Sequence, residues 1–267
     1  MKFSIVVSTQ PASFSALAYK GHVVENIKKV KDLGYDGVEL AIRDPNLINI
    51  NELHDILSEN KLPVPAIGTG QAYGEEGLSF TSKDTAIREK AIDRIVSQVK
   101  LAESFDAVVI IGLIRGNRAE IIDENQAESW MIDALRICAD ENDTVKIAIE
   151  PLNRYETNLI NTVSEGLRLI DKLNRKNVGL LLDTFHMNIE EPSILESIRL
   201  SKDHLFHFHV ADSNRWYPGA GHIDFTKILN TLNKHSYQGF VSAEILPLPD
   251  SDSAAVETIK NLRKFLT

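Results

Sequence analysis

Cysteine is almost absent from this sequence. Cys138 is the single one in 267 residues, so no disulfide can form within the chain. It falls in a helical pattern, Trp130 to Ala139, where a small buried hydrophobe is expected, and it has no histidine beside it to make it a nucleophile. An excess of positive charge is also missing. Lys and Arg number 29 against 38 Asp and Glu, for a net charge of −9 and a pI of about 5.4. That balance argues against a nucleic-acid partner. Long apolar runs are lacking too. The opening MKFSIVVSTQ is too short for a signal core, and nothing approaches the roughly 20 apolar residues of a membrane span. No membrane partner is expected, and the expected location is the cytoplasm. Finally, no Gly-x-Gly-x-x-Gly turn follows the first apolar run, where a dinucleotide-binding sheet would carry it.

What is present is a strict alternation. Short apolar runs at Phe3–Val7, Gly37–Leu40, Pro63–Ile67, Ala107–Ile111, Val145–Ile149, Val178–Leu182, Leu205–Val210 and Phe240–Ala243 read as strands. The run AVVII is β-branched and continuous, as a strand buried on both faces should be. Amphipathic stretches at about His22–Leu33, Asn51–Asn60, Lys83–Ser104, Asp123–Ala139, Val163–Leu173, Ile194–Leu200, Phe225–His235 and Ala254–Leu266 read as helices. Strand–helix alternation gives a parallel sheet, either open and doubly wound or closed. The count of eight and the missing dinucleotide turn favour a closed (β/α)₈ TIM barrel. No linker divides the chain, so residues 1–267 are expected to form one α/β domain.

Such barrels place their chemistry at the C-terminal ends of the strands. The fifth strand ends in Glu150, the sixth in Asp183, the seventh in His207 and His209, the eighth in Glu244. One apolar strand ending in an acid needs no special account, because the acid can cap the next helix. Four neighbours in a row do. Grouped carboxylates raise each other's pKa, and a divalent cation removes that penalty. Three carboxylates and one imidazole suit Mn²⁺, Co²⁺ or Mg²⁺. His207 and His209 face the same way. His209, nearer the strand's end, is taken as the ligand and His207 as a buried supporting residue.

Further polar residues follow these strands closely. Glu156, His186 and Arg215 would lie on loops above the metal and form a binding shell with it. Thr69, Gly70 and Gln71 end the third strand, and Glu39 and Arg43 end the second; of these Gln71 is taken as a substrate contact. His222, Asp224, Trp216 and Tyr217 are further candidates for the pocket wall. A substrate carboxylate would need a cation, for which Arg43, Arg115 and Arg118 are candidates.

The segments EPLNRYET, LLDTFHMNIEE, HFHVADSNRWYPGAGHIDF and the later SAE resemble the metal-dependent ketose 3-epimerases (the D-tagatose and D-psicose 3-epimerase group) of the xylose-isomerase-like barrels. AIRDP and AIGTGQAY look closest to a branch acting on keto-sugar acids such as 5-keto-L-gluconate. The resemblance implies one ion, Mn²⁺ or Co²⁺, on Glu150, Asp183, His209 and Glu244. It implies that Glu150 and Glu244 double as an acid/base pair inverting C3 of a ketose or keto-sugar acid through a metal-stabilised enediolate. It also implies that Glu156, His186 and Arg215 contact the substrate around its C1 and C2 oxygens, and that the protein is a homodimer or homotetramer.

Two rivals use related parts. An aldose–ketose isomerase needs the same ligands but returns the proton to the adjacent carbon. An endonuclease IV-like repair nuclease needs histidines after the third and fourth strands. Those places read Ile67-Gly68-Thr69-Gly70 and Ile111-Gly112-Leu113-Ile114.

Overall fold

The computed structural model describes residues 1–118 and 123–266. Strand β1 (Lys2–Ser8) shows how the barrel is built. Phe3, Ile5 and Val7 point outward into the core under the helices, and Ser4, Val6 and Ser8 take the inner face by the two-residue period of a strand. Seven more strands follow the same logic: β3 (Glu39–Ala41), β4 (Ala66–Gly68), β5 (Val108–Ile111), β6 (Ile147–Ile149), β7 (Val178–Asp183), β8 (Leu205–Val210) and β9 (Phe240–Ala243). Each pairs in parallel with the next, and β9 pairs back with Lys2–Ile5 of β1. Among the described residues these eight strands close a barrel, as the alternation requires.

A short β2 (Tyr19–Lys20) was not expected. It pairs with Val7 and Ser8 of β1, continuing the edge that β9 leaves free. Helices α1 (Val23–Asp32), α2 (Ile50–Asn60), α4 (Thr85–Glu103), α5 (Glu124–Glu141), α6 (Val163–Leu173), α8 (Ile194–Ser201), α9 (Phe225–Lys234) and α10 (Ser251–Phe265) occupy the eight expected places. Two short helices stand where loops were expected: α3 (Gln71–Glu76) and α7 (Thr184–Glu190). Strands β3 and β4 begin two and three residues later than the apolar runs suggest. Pro63 and Pro65 lack the N–H that a ladder needs, so regular pairing starts at Ala66.

Inside the barrel, Ala66, Val108, Ile110, Ala148 and Leu181 form an apolar plug with Phe206 against it. Each large aliphatic side chain buried this way contributes about 1.5–3 kcal/mol. The register aligns Asp183 with His209 and His209 with Ser242, so the last residue of β7 and the penultimate residue of β8 share one level. No described helix is long and apolar enough to cross a membrane.

Candidate active site

Glu150 follows β6, Asp183 ends β7, His209 is the penultimate residue of β8, and Glu244 follows β9. One ligand atom from each lies within 4.8 Å of all the others. His209 Nδ1 is 3.9 Å from Glu150 Oε1 and 3.9 Å from Asp183 Oδ2. Local structure aims these groups. Asp183 caps α7, its Oδ1 accepting the Phe185 N–H at 2.7 Å, which leaves Oδ2 for the cluster. Gly112 leaves room for Glu150, since a Cβ there would stand 3.0 Å from Oε2.

Glu150 Oε1, Asp183 Oδ2 and His209 Nδ1 are buried and have no hydrogen-bond partner. A buried polar atom left this way costs about 1–3 kcal/mol, and more if charged. A divalent cation among them would satisfy all three at once, so the residues fit the ion that the ligand set implies. The electrostatics agree. Burial, then the neighbouring Glu244 and Asp183 carboxylates, hold Glu150 well above the usual carboxylate range. Burial, together with Asp183 and Glu39, raises Glu244 to about 7 against the pull of His209 and Arg215. Burial also raises Asp183. For His209 burial works downward, but Glu39, Glu244 and Glu150 outweigh it and raise the ring to about 10. Without a cation, the cluster retains protons in its place.

Arg215 joins the cluster to its surroundings. Its Nη1 donates to Glu156 at 2.8 Å and its Nη2 to Glu244 at 3.0 Å. The guanidinium packs over the rings of Phe14 and Phe185, 5.1 and 4.7 Å from their centroids. Its Nε is buried without a partner. On His186, Nδ1 accepts the Asn153 backbone N–H at 3.3 Å. Nε2 therefore carries the hydrogen, and it too lacks a partner, 3.8 Å from Glu150 Oε1. Burial, then Arg215 and His209, depress this ring's pKa and keep it neutral. Gln71 donates to Ser8 Oγ at 2.7 Å, and its own Oε1 is free. Glu150, Glu156, His186, His209, Arg215, Glu244 and Gln71 all line one cavity of about 150 Å³.

The other candidates divide. Thr69 and Gly70 line this cavity, as does Glu39, which takes both His207 and His209 as partners. Trp216, Tyr217, His222 and Asp224 are not among the described residues that line it. Asp224 caps α9, and His222 Nδ1 meets Ser213 on the exposed loop. Arg43, Arg115 and Arg118 are likewise not among its described lining residues. Arg115 is fully buried and donates to the carbonyls of Gly112, Leu159 and Ile160, a brace for the loops after β5 and β6. Burial pushes its pKa down to about 10.

Sequence reasoning passed over Asp212. This buried carboxylate accepts the backbone N–H groups of Ser213, Gly219 and Ile223 at 2.7, 2.8 and 3.1 Å. It thereby folds the loop that carries Arg215, whose φ of 62° lies in the left-handed region. Gly221 must lack a Cβ, which would stand 2.3 Å from Asp212 Oδ1. Asp212→Ala is expected to misplace Arg215 and lower kcat/KM about 10²-fold, with metal affinity unchanged. Steady-state kinetics beside a metal titration checks this; unchanged kinetics would remove Asp212 from the account.

The pattern of one barrel family, described as xylose isomerase-like TIM barrel, matches residues 27–265. The chain belongs to that family. Among curated relatives, a D-psicose 3-epimerase from Enterocloster bolteae is 41% identical over 230 residues, covering 79% of this chain and 72% of its own. A 3-dehydro-D-guloside 4-epimerase from Escherichia coli is 29% identical over 252 residues, covering 89% and 91%. Among solved structures, a D-psicose 3-epimerase with D-tagatose from Clostridium cellulolyticum H10 superposes with a TM-score of 0.85 at 26% identity, covering 100% of this chain and 99% of that one. Family membership accounts for the place of the site, since barrels of this kind work at the C-terminal mouth. What the site does must be argued from its groups.

Proposed function

We propose that this chain is a metal-dependent epimerase that inverts C3, the carbon beside the ketone, in an uncharged ketose. The observation that carries the reading is the pairing of Glu150 and Glu244. They come from the two ends of a four-strand arc and face one cavity, with Asp183 and His209 between them. Glu150, Asp183, His209 and Glu244 would hold the ion, Mn²⁺ or Co²⁺, with Mg²⁺ as the alternative. When bound, it supplies Lewis-acid stabilisation of the charge that builds on the ketone oxygen.

The chain's own residues do the rest. One of the two glutamates takes the C3 proton on one face, and the other delivers a proton to the opposite face. His186 Nε2–H and Arg215 Nε–H are buried donors without partners, suited to hydroxyl and carbonyl oxygens near C1 and C2; Gln71 Oε1 is a matching acceptor. Glu156 fixes Arg215 and with it the orientation of Glu244. The relatives named as 3- and 4-epimerases support chemistry on a sugar carbon.

Charge favours a neutral sugar over the keto-sugar acid. Among the described residues, Arg215 is the one Lys or Arg that lines the cavity, and Glu156 and Glu244 already neutralise it. A panel of free ketoses, ketose phosphates and keto-sugar acids, incubated with Mn²⁺ in D₂O, tests the proposal. The expected result is deuterium at C3 of a free ketose with inversion there. Label at C1 or C2 with aldose formed would assign an isomerase instead, and turnover of the acids alone would reverse the charge argument.

A further inference from the structure

We propose that Glu39, clamped by His207, is the positioning residue that turns His209 so that Nδ1 faces the metal site. The inference rests on the metal-dependent reading above. Glu39 begins β3 and reaches across the barrel interior to β8, with β1 and β9 between the two strands. It is 1% exposed. A carboxylate so deep is costly unless charged partners meet it, and apolar packing would be at least as stable. Stability alone therefore does not account for it.

Its contacts do. Oε1 and Oε2 stand 2.9 and 3.1 Å from His209 Nε2, and Oε2 stands 2.8 Å from His207 Nε2. An ionised carboxylate only accepts, so each Nε2 must carry its hydrogen. With Nε2–H spent on Glu39, the lone pair of neutral His209 sits on Nδ1, the atom that faces Glu150 and Asp183. The other tautomer would give the ion an N–H, and a flipped ring would give it a carbon. Carboxylates behind ligating histidines fix the tautomer in this way. His207 adds the second constraint. Lying edge-on to His209 with ring centroids 5.3 Å apart, it occupies Oε2 and keeps the carboxylate from rotating away.

The test is a titration of metal-free protein with Mn²⁺ by calorimetry, repeated with Co²⁺ by visible absorption. Wild type, Glu39→Gln, Glu39→Leu and His207→Gln are compared, with thermal melts of the metal-free forms. Glu39→Gln keeps the shape of the side chain, and Glu39→Leu keeps its approximate volume. Glu39→Gln is expected to melt close to wild type and Glu39→Leu lower, because leucine leaves the two buried Nε2–H groups without an acceptor; both are expected to bind Mn²⁺ about 10–100-fold more weakly. Their Co²⁺ spectrum at saturation should match wild type, because the ligands are the same. His207→Gln shifts affinity the same way by a smaller factor. Wild-type affinity in both Glu39 variants overturns the proposal. So does a stoichiometry of two ions per chain with the second lost in Glu39→Gln, which would make the Glu39, His207 and His209 trio a metal site of its own. A wild-type protein that binds neither ion removes the parent reading instead, and that result is distinct from equal binding by wild type and variants.

Discussion

Glu150→Gln is expected to abolish deuterium exchange at C3, with kcat/KM lowered at least about 10²–10⁴-fold, and Glu244→Gln should do the same. The amide keeps an oxygen that can face the ion, so the loss reports basicity rather than shape. Inversion needs a group on each face of the carbon, so removing either one stops the cycle. The two variants should differ in how they fail. Glu244 shares Arg215 with Glu156, and its amide would release one arm of that clamp. Glu244→Gln is therefore expected to weaken substrate binding as well, whereas Glu150 touches no arginine within hydrogen-bond range among the described pairs. Neither change should unfold the barrel. Each removes one member of a buried group of like charges, and the metal-free variants are expected to melt at or above the wild-type temperature. Single-turnover exchange followed by proton NMR, beside thermal melts, gives both readouts. Wild-type exchange rates in either variant would strip that glutamate of its acid/base role.

The convergence of four side chains was legible because it depends only on strand parity and strand ends. Glu150, Asp183, His209 and Glu244 each close a short apolar run, and a parallel barrel brings such ends to one rim. The partner of the histidines was not legible. Glu39 lies 168 residues before His207, and nothing local in either segment reports that they meet across the barrel. The partners of Arg115, one of three arginines offered for a substrate carboxylate, were hidden for a related reason. A charged residue in a glycine-flanked loop suggests solvent or substrate, but three free carbonyls from the same and the following loop take every arm of it. Helix α7 was hidden because Asp183 serves twice, ending β7 and capping the helix, so no spacer separates the elements. Asp212 was passed over because its three partners are backbone N–H groups, which side-chain chemistry does not reveal.

Removing the metal with a chelator is expected to end turnover, and restoring Mn²⁺ or Co²⁺ should recover it. The pH behaviour of the stripped protein makes the stronger test, and its sign follows from the raised carboxylates. Glu244 moves from 4.5 to about 7 in the fold. Between those values the folded chain holds a proton that the unfolded chain has released, so metal-free stability falls as pH rises through that window. Glu150, raised further, extends the fall upward. His209, raised from 6.5 to about 10, acts in the same direction, because the folded state retains its proton over that interval. An ion on these four groups must displace those protons. Apparent affinity should therefore climb with pH from about 5 through neutrality. Calorimetry at pH 7 in two buffers of different ionisation enthalpy should report more than one proton released per ion. Metal at a hundredfold excess over Kd should stabilise the fold by about 2.7 kcal/mol, a rise of roughly 5–10 °C in Tm. At a fixed metal concentration the gain should grow with pH, because Kd falls as the empty cluster loses stability and the filled one does not. Binding that releases no proton, or a Tm rise independent of pH, would mean that the ion sits elsewhere and that these carboxylates are not its ligands.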